Sequence, residues 1–159
     1  MTKSFFVALA SGVLFTSAAH AAPPRVFLND VIRGDNGEIR LGALAETHGG
    51  SRAVRDYGRT LNRDHTFAKR QVVPVARSFN VPISGNITPE AREAYDHLLR
   101  LRGREFDREF VQHMVDDHQK DIAKFEDQAR TGDRRTASLA RRQLPVLRKH
   151  LRIAQSINP

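Results

Sequence analysis

Apolar residues recur every three or four positions along most of this chain, the spacing of amphipathic α-helices. The second such segment shows it clearly, with Val54, Tyr57, Leu61, Ala68 and Val72 on one stripe. No segment alternates between apolar and polar residues over a useful length, so the pattern predicts no strands. The predicted helices cover residues 38–48, 52–79, 89–101, 105–130 and 134–154.

Residues at the predicted helix ends support these boundaries. Ser51, Thr88 and Asp133 are favourable N-caps, and glycines follow the first and fourth predicted helices. Pro74 and Pro145 fall inside helical patterns, where each removes a backbone donor. We interpret them as kinks because the apolar stripe continues past both. The alternative is that either proline ends its helix.

Four to five amphipathic helices with short connections predict an all-α fold, an antiparallel bundle in a single domain. Residues 22–35 carry mixed signals and are interpreted as a lead-in that ends at a cap near Asp35. The helical domain is therefore expected to span residues 36–159.

The first residues have the order of a secretory signal peptide. Lys3 supplies the positive region, residues 5–15 form an apolar run, and Ala19-His20-Ala21 has the pattern of a cleavage site. The apolar run is too short to cross a bilayer core of about 30 Å. We therefore expect cleavage after residue 21 and a mature periplasmic protein that begins at Ala22, without a transmembrane segment. The alternative is an uncleaved amphipathic anchor.

Composition limits the partners and the sources of stability. The chain has 159 residues, a net charge of +8 and no cysteine, which excludes disulfides and a lipoprotein-type anchor. An exported protein rarely meets nucleic acid, so anionic envelope components are the expected partners of the positive charge. On the last helix, basic residues recur every seven positions. We call this set the basic ridge and interpret it either as a binding face for such components or as a solvated face: Arg134, Arg135, Arg141, Arg142, Arg148, Lys149 and Arg152.

Three histidines lie on the apolar stripes of three different helices: His65, His118 and His150. A buried imidazole needs a polar partner, since leaving it unsatisfied costs roughly 1–3 kcal/mol. Imidazoles that converge from separate helices can share a metal ion, and zinc or copper suits such ligands best. Glu38 also faces inward and is a candidate carboxylate ligand. The pattern therefore predicts a candidate metal site in the bundle core.

The same histidines have a simpler interpretation, in which each bonds to a carbonyl or carboxylate and binds no ligand. Asp64 and Asp117 precede two of them and are candidates either for pairing with a neighbouring helix or for orienting an imidazole. The chain lacks the Glu-x-x-His pairs of di-iron carboxylate bundles, which disfavours a dinuclear oxygen-activating centre.

With these residues in view, the chain resembles a ferritin-like bacterial family known as domain of unknown function 4142, often described as predicted outer-membrane proteins. The resemblance covers about residues 38–157 and rests on five motifs. It implies a ferritin-like four-helix bundle with an additional short helix, located in the periplasm or at the outer membrane, without an established activity. It also implies that the family's recurring polar positions include Asp107, which we add as a candidate orienting group. The motifs are Glu38-Ile39-Arg40-Leu41-Gly42 followed by Leu44-Ala45, Asp64-His65, Gly103-Arg104-Glu105-Phe106-Asp107, Met114-Val115-Asp116-Asp117-His118-Gln119-Lys120 and Leu144-Pro145-Val146-Leu147-Arg148-Lys149-His150-Leu151.

Three functional hypotheses follow. The first is a non-enzymatic periplasmic bundle that binds a transition-metal ion through the three histidines and Glu38. The second is a structural or stress-related envelope protein without a metal, which contacts anionic surfaces through the basic ridge. The third, an oxidase or peroxide-handling enzyme, has only fold analogy behind it.

Overall fold

A computed structural model describes residues 21–158, and this part of the chain folds into five helices without a β-strand. The expected all-α fold is confirmed. The proposed signal peptide lies almost entirely outside the described residues. The helices are α1 (Pro24–His48), α2 (Arg52–Arg77), α3 (Pro89–Leu98), α4 (Gly103–Thr131) and α5 (Arg134–Ser156).

The expected lead-in over residues 22–35 is wrong, because α1 begins at Pro24 and runs through this segment. Proline is favourable at the start of a helix, where its missing N–H group has no intrahelical partner. Phe27 and Val31 then begin a buried stripe four residues apart. The polar Gly34–Gly37 stretch suggests a break, yet its Asp35 and Asn36 are buried inside the helix. Asp35 is therefore a core residue and does not cap a helix.

The predicted N-caps are confirmed. The side chains of Ser51, Thr88 and Asp133 each accept a hydrogen bond from a backbone N–H in the first turn of the following helix. Pro74 lies inside α2, which continues to Arg77, and Pro145 lies inside α5, which continues to Ser156. Neither proline ends its helix.

The long helices pack mainly as two hairpins, α1 with α2 and α4 with α5. The first pair approaches closely at two glycines, because a Cβ atom on Gly42 would lie 2.7 Å from the carbonyl oxygen of Gly58. Short connections at residues 49–51 and 132–133 make each hairpin antiparallel.

The connection between the hairpins is long and follows α1 over its whole length. Arg25 at the start of α1 donates to the carbonyl of Phe79 at 2.8 Å, and Arg33 donates to that of Ile87 at 3.0 Å. At the far end, Gly49 and Gly103 form an isolated β-bridge. The chain thus returns to the end at which α2 began before α4 starts, so α2 and α4 run in the same direction. This crossover contains the loop expected over residues 80–89 and the short helix expected from residue 89.

The buried side chains form two apolar clusters with a polar layer between them. One cluster includes Phe27, Val72 and Leu139, and the other includes Leu41 and Phe110. Each long helix contributes to both clusters and passes through the polar layer near its middle. The layer consists mainly of Asp35, Glu38, His65, His118 and His150, all at most 6% exposed.

None of the helices in residues 21–158 is long and apolar enough to span a membrane.

Candidate metal centre

His65, His118 and His150 meet in this polar layer. They lie on α2, α4 and α5, and their residue exposures are 5%, 1% and 0%. Their ring centroids are 5.2–6.0 Å apart. One nitrogen from each ring lies within 4.8 Å of the other two. The structure therefore brings together the three histidines expected from the sequence.

In two of these rings, one nitrogen is held by an acceptor outside the histidine cluster. His65 Nδ1 lies 2.9 Å from Oδ1 of Asp35, and His118 Nδ1 lies 2.9 Å from the carbonyl oxygen of Met114. A carbonyl or carboxylate oxygen accepts, so each Nδ1 carries the proton. The Nε2 atoms of both rings are then unprotonated in the neutral imidazoles.

Asp64 holds the third ring. Its Oδ2 accepts from His150 Nε2 at 3.0 Å and from Lys149 Nζ at 2.9 Å. Partial burial alone would raise the pKa of Asp64, but hydrogen bonds from Lys149, His150 and Arg63 lower it below its ordinary value. The ionised carboxylate requires a proton on His150 Nε2, which leaves Nδ1 as the free lone pair.

These assignments turn the lone pairs toward one another. His118 Nε2 and His150 Nδ1 are 3.3 Å apart. With these tautomers, neither atom carries a proton that it could donate to the other. Two ligands of a tetrahedral zinc ion with bonds of about 2.0–2.1 Å are themselves separated by about 3.3 Å. The spacing of the two nitrogens thus matches that of two metal ligands.

Glu38 and Tyr57 border the same centre. Glu38 Oε2 lies 3.9 Å from His65 Nε2, and neither atom has a hydrogen-bond partner among the described residues. The hydroxyl of Tyr57 is also buried without a partner. Burial, followed by the charges of Glu38 and Asp117, raises the pKa of Tyr57 above its ordinary value. Glu38 is accordingly the carboxylate best placed to join the three imidazoles.

Three further carboxylates lie on the α1 and α4 side of the centre: Asp35, Asp117 and Asp121. Burial, and then the adjacent Asp117, raises the pKa of Glu38 well above its ordinary value. The same two causes raise the pKa of Asp121 to about 6. Burial and mutual repulsion thus favour the protonated forms of these carboxyl groups, and a cation bound among them would favour the ionised forms instead.

Burial keeps two of the rings neutral. Together with the neighbouring imidazoles, burial lowers the pKa of His118 to about 3. Burial and His65 lower the pKa of His150 to about 4, against the opposing effect of Asp64. Both rings are neutral at physiological pH.

Nuclear magnetic resonance of ring nitrogens in metal-free protein should show this directly. His118 should be the Nδ1–H tautomer and His150 the Nε2–H tautomer. Both rings should stay neutral from pH 7 down to pH 5. In urea-unfolded protein, the same rings should titrate near pH 6.5. Protonation of either ring above pH 6 in the folded protein would contradict the hydrogen-bond assignments.

A cavity of about 740 Å³ reaches this layer from the surface. Its walls include the buried Asp35, Glu38 and His65 together with the exposed Phe67 and Glu90. An ion from solution therefore has a route to the carboxylates and to one of the histidines.

Not every residue expected at the site lies there. Asp64 contacts an imidazole, although on a different helix from its own, and Asp117 lies beside Glu38 and His118. Asp107, which was expected to orient an imidazole, lies away from the histidines. Its carboxylate accepts from the backbone N–H groups of Gly50 and Ser51 at 2.8 and 2.7 Å. Asp107 therefore fastens the start of α2, about 16 Å along α4 from His118.

Asp35, Asp121 and Tyr57 belong to the layer although the hydrophobic pattern does not single them out. Asp121 lies four residues after Asp117, and Asp35 lies three before Glu38, so helical spacing around the expected residues identifies both. Tyr57 lies on the α2 stripe, where it reads as an ordinary core residue.

Much of the basic ridge is engaged within the chain. Arg148 pairs with Glu126 at 2.7 Å, Lys149 bonds to Asp64, and Arg135 stacks 4.0 Å above the ring of Phe79. Contact between this ridge and anionic surfaces stays a prediction.

Comparison with known proteins identifies the family. A family model described as Domain of unknown function (DUF4142) matches residues 14–157, and the chain belongs to this family. No curated protein and no solved structure matches the sequence.

Proposed function

We propose that this member of the domain of unknown function 4142 family binds one transition-metal ion, zinc or copper, in the core of its helical bundle. His65, His118 and His150 are the nitrogen ligands, and Glu38 supplies a carboxylate. The observation that carries the proposal is the convergence of three ring nitrogens, within 4.8 Å of one another, on rings whose opposite nitrogens are already bonded elsewhere. This is the usual arrangement of metal-bound histidines, in which the outer hydrogen bond fixes the ring.

The contacts are less favourable without a cation. If His150 Nδ1 carried the proton and donated to His118, its Nε2 lone pair would face the ionised carboxylate of Asp64. If His118 Nε2 donated instead, its Nδ1 lone pair would face the carbonyl of Met114. Either choice exchanges a good hydrogen bond for a repulsion between two acceptors. A metal ion satisfies both lone pairs at once.

Metal analysis of protein purified without a histidine tag tests the proposal, combined with calorimetric titration of zinc and of copper. We expect about one equivalent bound more tightly than micromolar, and no such binding after His65→Ala, His118→Ala and His150→Ala are combined. The matched control is His97→Ala, a half-exposed histidine on α3, which should leave binding unchanged. Wild-type affinity weaker than micromolar, or retained affinity in the triple variant, would overturn the proposal.

We further propose that the bundle is ferritin-like and functions in the periplasm, where it is free of enzymatic activity. Two antiparallel hairpins joined by one long crossover support the ferritin-like arrangement. The start of α1 at Pro24, just after the proposed cleavage site, supports an exported mature chain.

The mature N-terminus tests export. Protein recovered from the periplasmic fraction should lack residues 1–21 and begin at Ala22, as measured by intact mass. Ala21→Arg should block processing and leave the longer form, because the cleavage site requires small residues. Recovery of the full-length chain only in the cytoplasm would contradict the proposal.

A further inference from the structure

Four carboxylates from two helices meet beside the histidine centre. Asp35 and Glu38 lie three residues apart on α1, while Asp117 and Asp121 lie four residues apart on α4. Residues at these spacings share one face of a helix, so each pair presents its carboxyl groups to the same region. All four line the wall of the cavity.

Two of these carboxylates have buried oxygens without partners. Asp35 Oδ2 and Glu38 Oε2 are buried and have no hydrogen-bond partner among the described residues. Asp35 is 5% exposed and Glu38 is 3% exposed. Within residues 21–158, no lysine or arginine nitrogen lies within 4.0 Å of any of the four carboxylates. Asp64, by contrast, is paired with Lys149 and Arg63. Burial of such an oxygen without a partner disfavours the ionised carboxylate, and a cation bound beside it would stabilise that form.

We propose that Glu38 and Asp117, with Asp35 and Asp121 beside them, form a second metal position that takes a hard divalent cation such as manganese. Oxygen ligands select such cations, whereas imidazoles select zinc or copper. Ligand atoms of Glu38, Asp117 and His118 lie within 4.8 Å of one another. Two oxygens on opposite sides of one bound cation are separated by about 4.2–5.2 Å, so this spacing fits a common ion.

The second position is distinct from the histidine centre and adjoins it. His118 Nε2 has a single lone pair, which the histidine centre uses, so the second position depends on its carboxylates. Glu38 lies between the two, because its Oε2 is 3.9 Å from His65 Nε2 while the same side chain is close to Asp117. The layer can thus hold two ions of different chemistry with Glu38 between them. The inference extends the proposed function without depending on it.

Titration with Mn²⁺, followed by the loss of the free-ion electron paramagnetic resonance signal, tests the second position. Zinc-loaded wild-type protein should bind about one equivalent of Mn²⁺. Combining Asp117→Asn with Asp121→Asn should weaken Mn²⁺ binding at least 30-fold and leave zinc stoichiometry at one. The matched control is Asp116→Asn, an exposed neighbour on the same cavity wall, which should change Mn²⁺ affinity less than twofold.

The two proposals fail separately. His150→Ala should abolish tight zinc binding while Mn²⁺ binding stays within fivefold of wild type, because His150 does not border the second position. Absence of Mn²⁺ binding below millimolar in folded wild-type protein would overturn the second position alone. Unchanged Mn²⁺ affinity in the double asparagine variant, or in Asp121→Asn alone should the double variant lose its circular dichroism signal, would also overturn it. Loss of zinc in the double variant would show one shared site and overturn the two-position proposal.

Discussion

Zinc at about one hundred times its dissociation constant should stabilise the folded protein by about 2.7 kcal/mol, because a ligand that binds only the folded state shifts the unfolding equilibrium by mass action. For a domain of this size, that free energy corresponds to a rise of roughly 10 °C in the midpoint of thermal unfolding. The stabilisation arises because the three rings converge only when α2, α4 and α5 are packed together. Differential scanning calorimetry with and without zinc measures it, and a chelator should reverse it.

The combined alanine substitutions of His65, His118 and His150 should remove this rise, whatever they do to the midpoint of the metal-free protein. His97→Ala should retain it in full. Magnesium at the same concentration should have little effect on the histidine centre, since it avoids imidazole ligands. If zinc raises the unfolding midpoint of the triple variant equally, the zinc binds elsewhere on the protein. If zinc does not raise the midpoint of the wild-type protein, the proposed histidine centre is wrong.

Helical periodicity is sufficient to find the inward histidines because it reports which face of a helix a residue occupies. It says less about whether residues on different helices lie at the same position along the bundle axis. Here Glu38, His65, His118 and His150 lie 13–16 residues after the first residues of their helices. Since these helices are 23–29 residues long, all four are near the middle, where antiparallel and parallel neighbours are level. Convergence could therefore be expected from the sequence, although the distances could not.

The errors have a different origin. Gly34, Asn36 and Gly37 weaken the helical pattern, so the first half of α1 reads as a lead-in and Asp35 reads as a cap. Tertiary contacts override this local weakness, because the amide of Asn36 donates to the carbonyls of Ser84 and Asn86 in the crossover. A crossover that follows α1 cannot be recognised from local spacing alone. The same limit hides the partner of Asp107, which lies more than 50 residues away in the sequence.

Asp107→Ala should be among the most destabilising single substitutions in the chain, at roughly 4 kcal/mol. The side chain is 2% exposed, and its two oxygens accept from two adjacent backbone N–H groups at the start of α2. Hydrogen bonds to a charged group contribute about 1.5–3 kcal/mol each, and truncation leaves both donors unsatisfied. Because Gly50 packs against Gly103 at this point, with no room for a Cβ atom, water has little space to replace the carboxylate. Urea unfolding followed by circular dichroism measures the loss.

Asp133→Ala is the matched control, since Asp133 caps α5 through one bond at an exposed site and should cost only about 1 kcal/mol. The comparison also separates the two interpretations of Asp107. If Asp107 only fastens α2 to α4, the folded variant should bind zinc with wild-type affinity at low temperature, because the carboxylate is about 16 Å along α4 from His118. If it orients an imidazole, as the family pattern implies, affinity should fall by 10–100-fold, the usual effect of losing such a partner. The bonds to Gly50 and Ser51 use both carboxylate oxygens, so we expect zinc affinity to stay the same while stability falls.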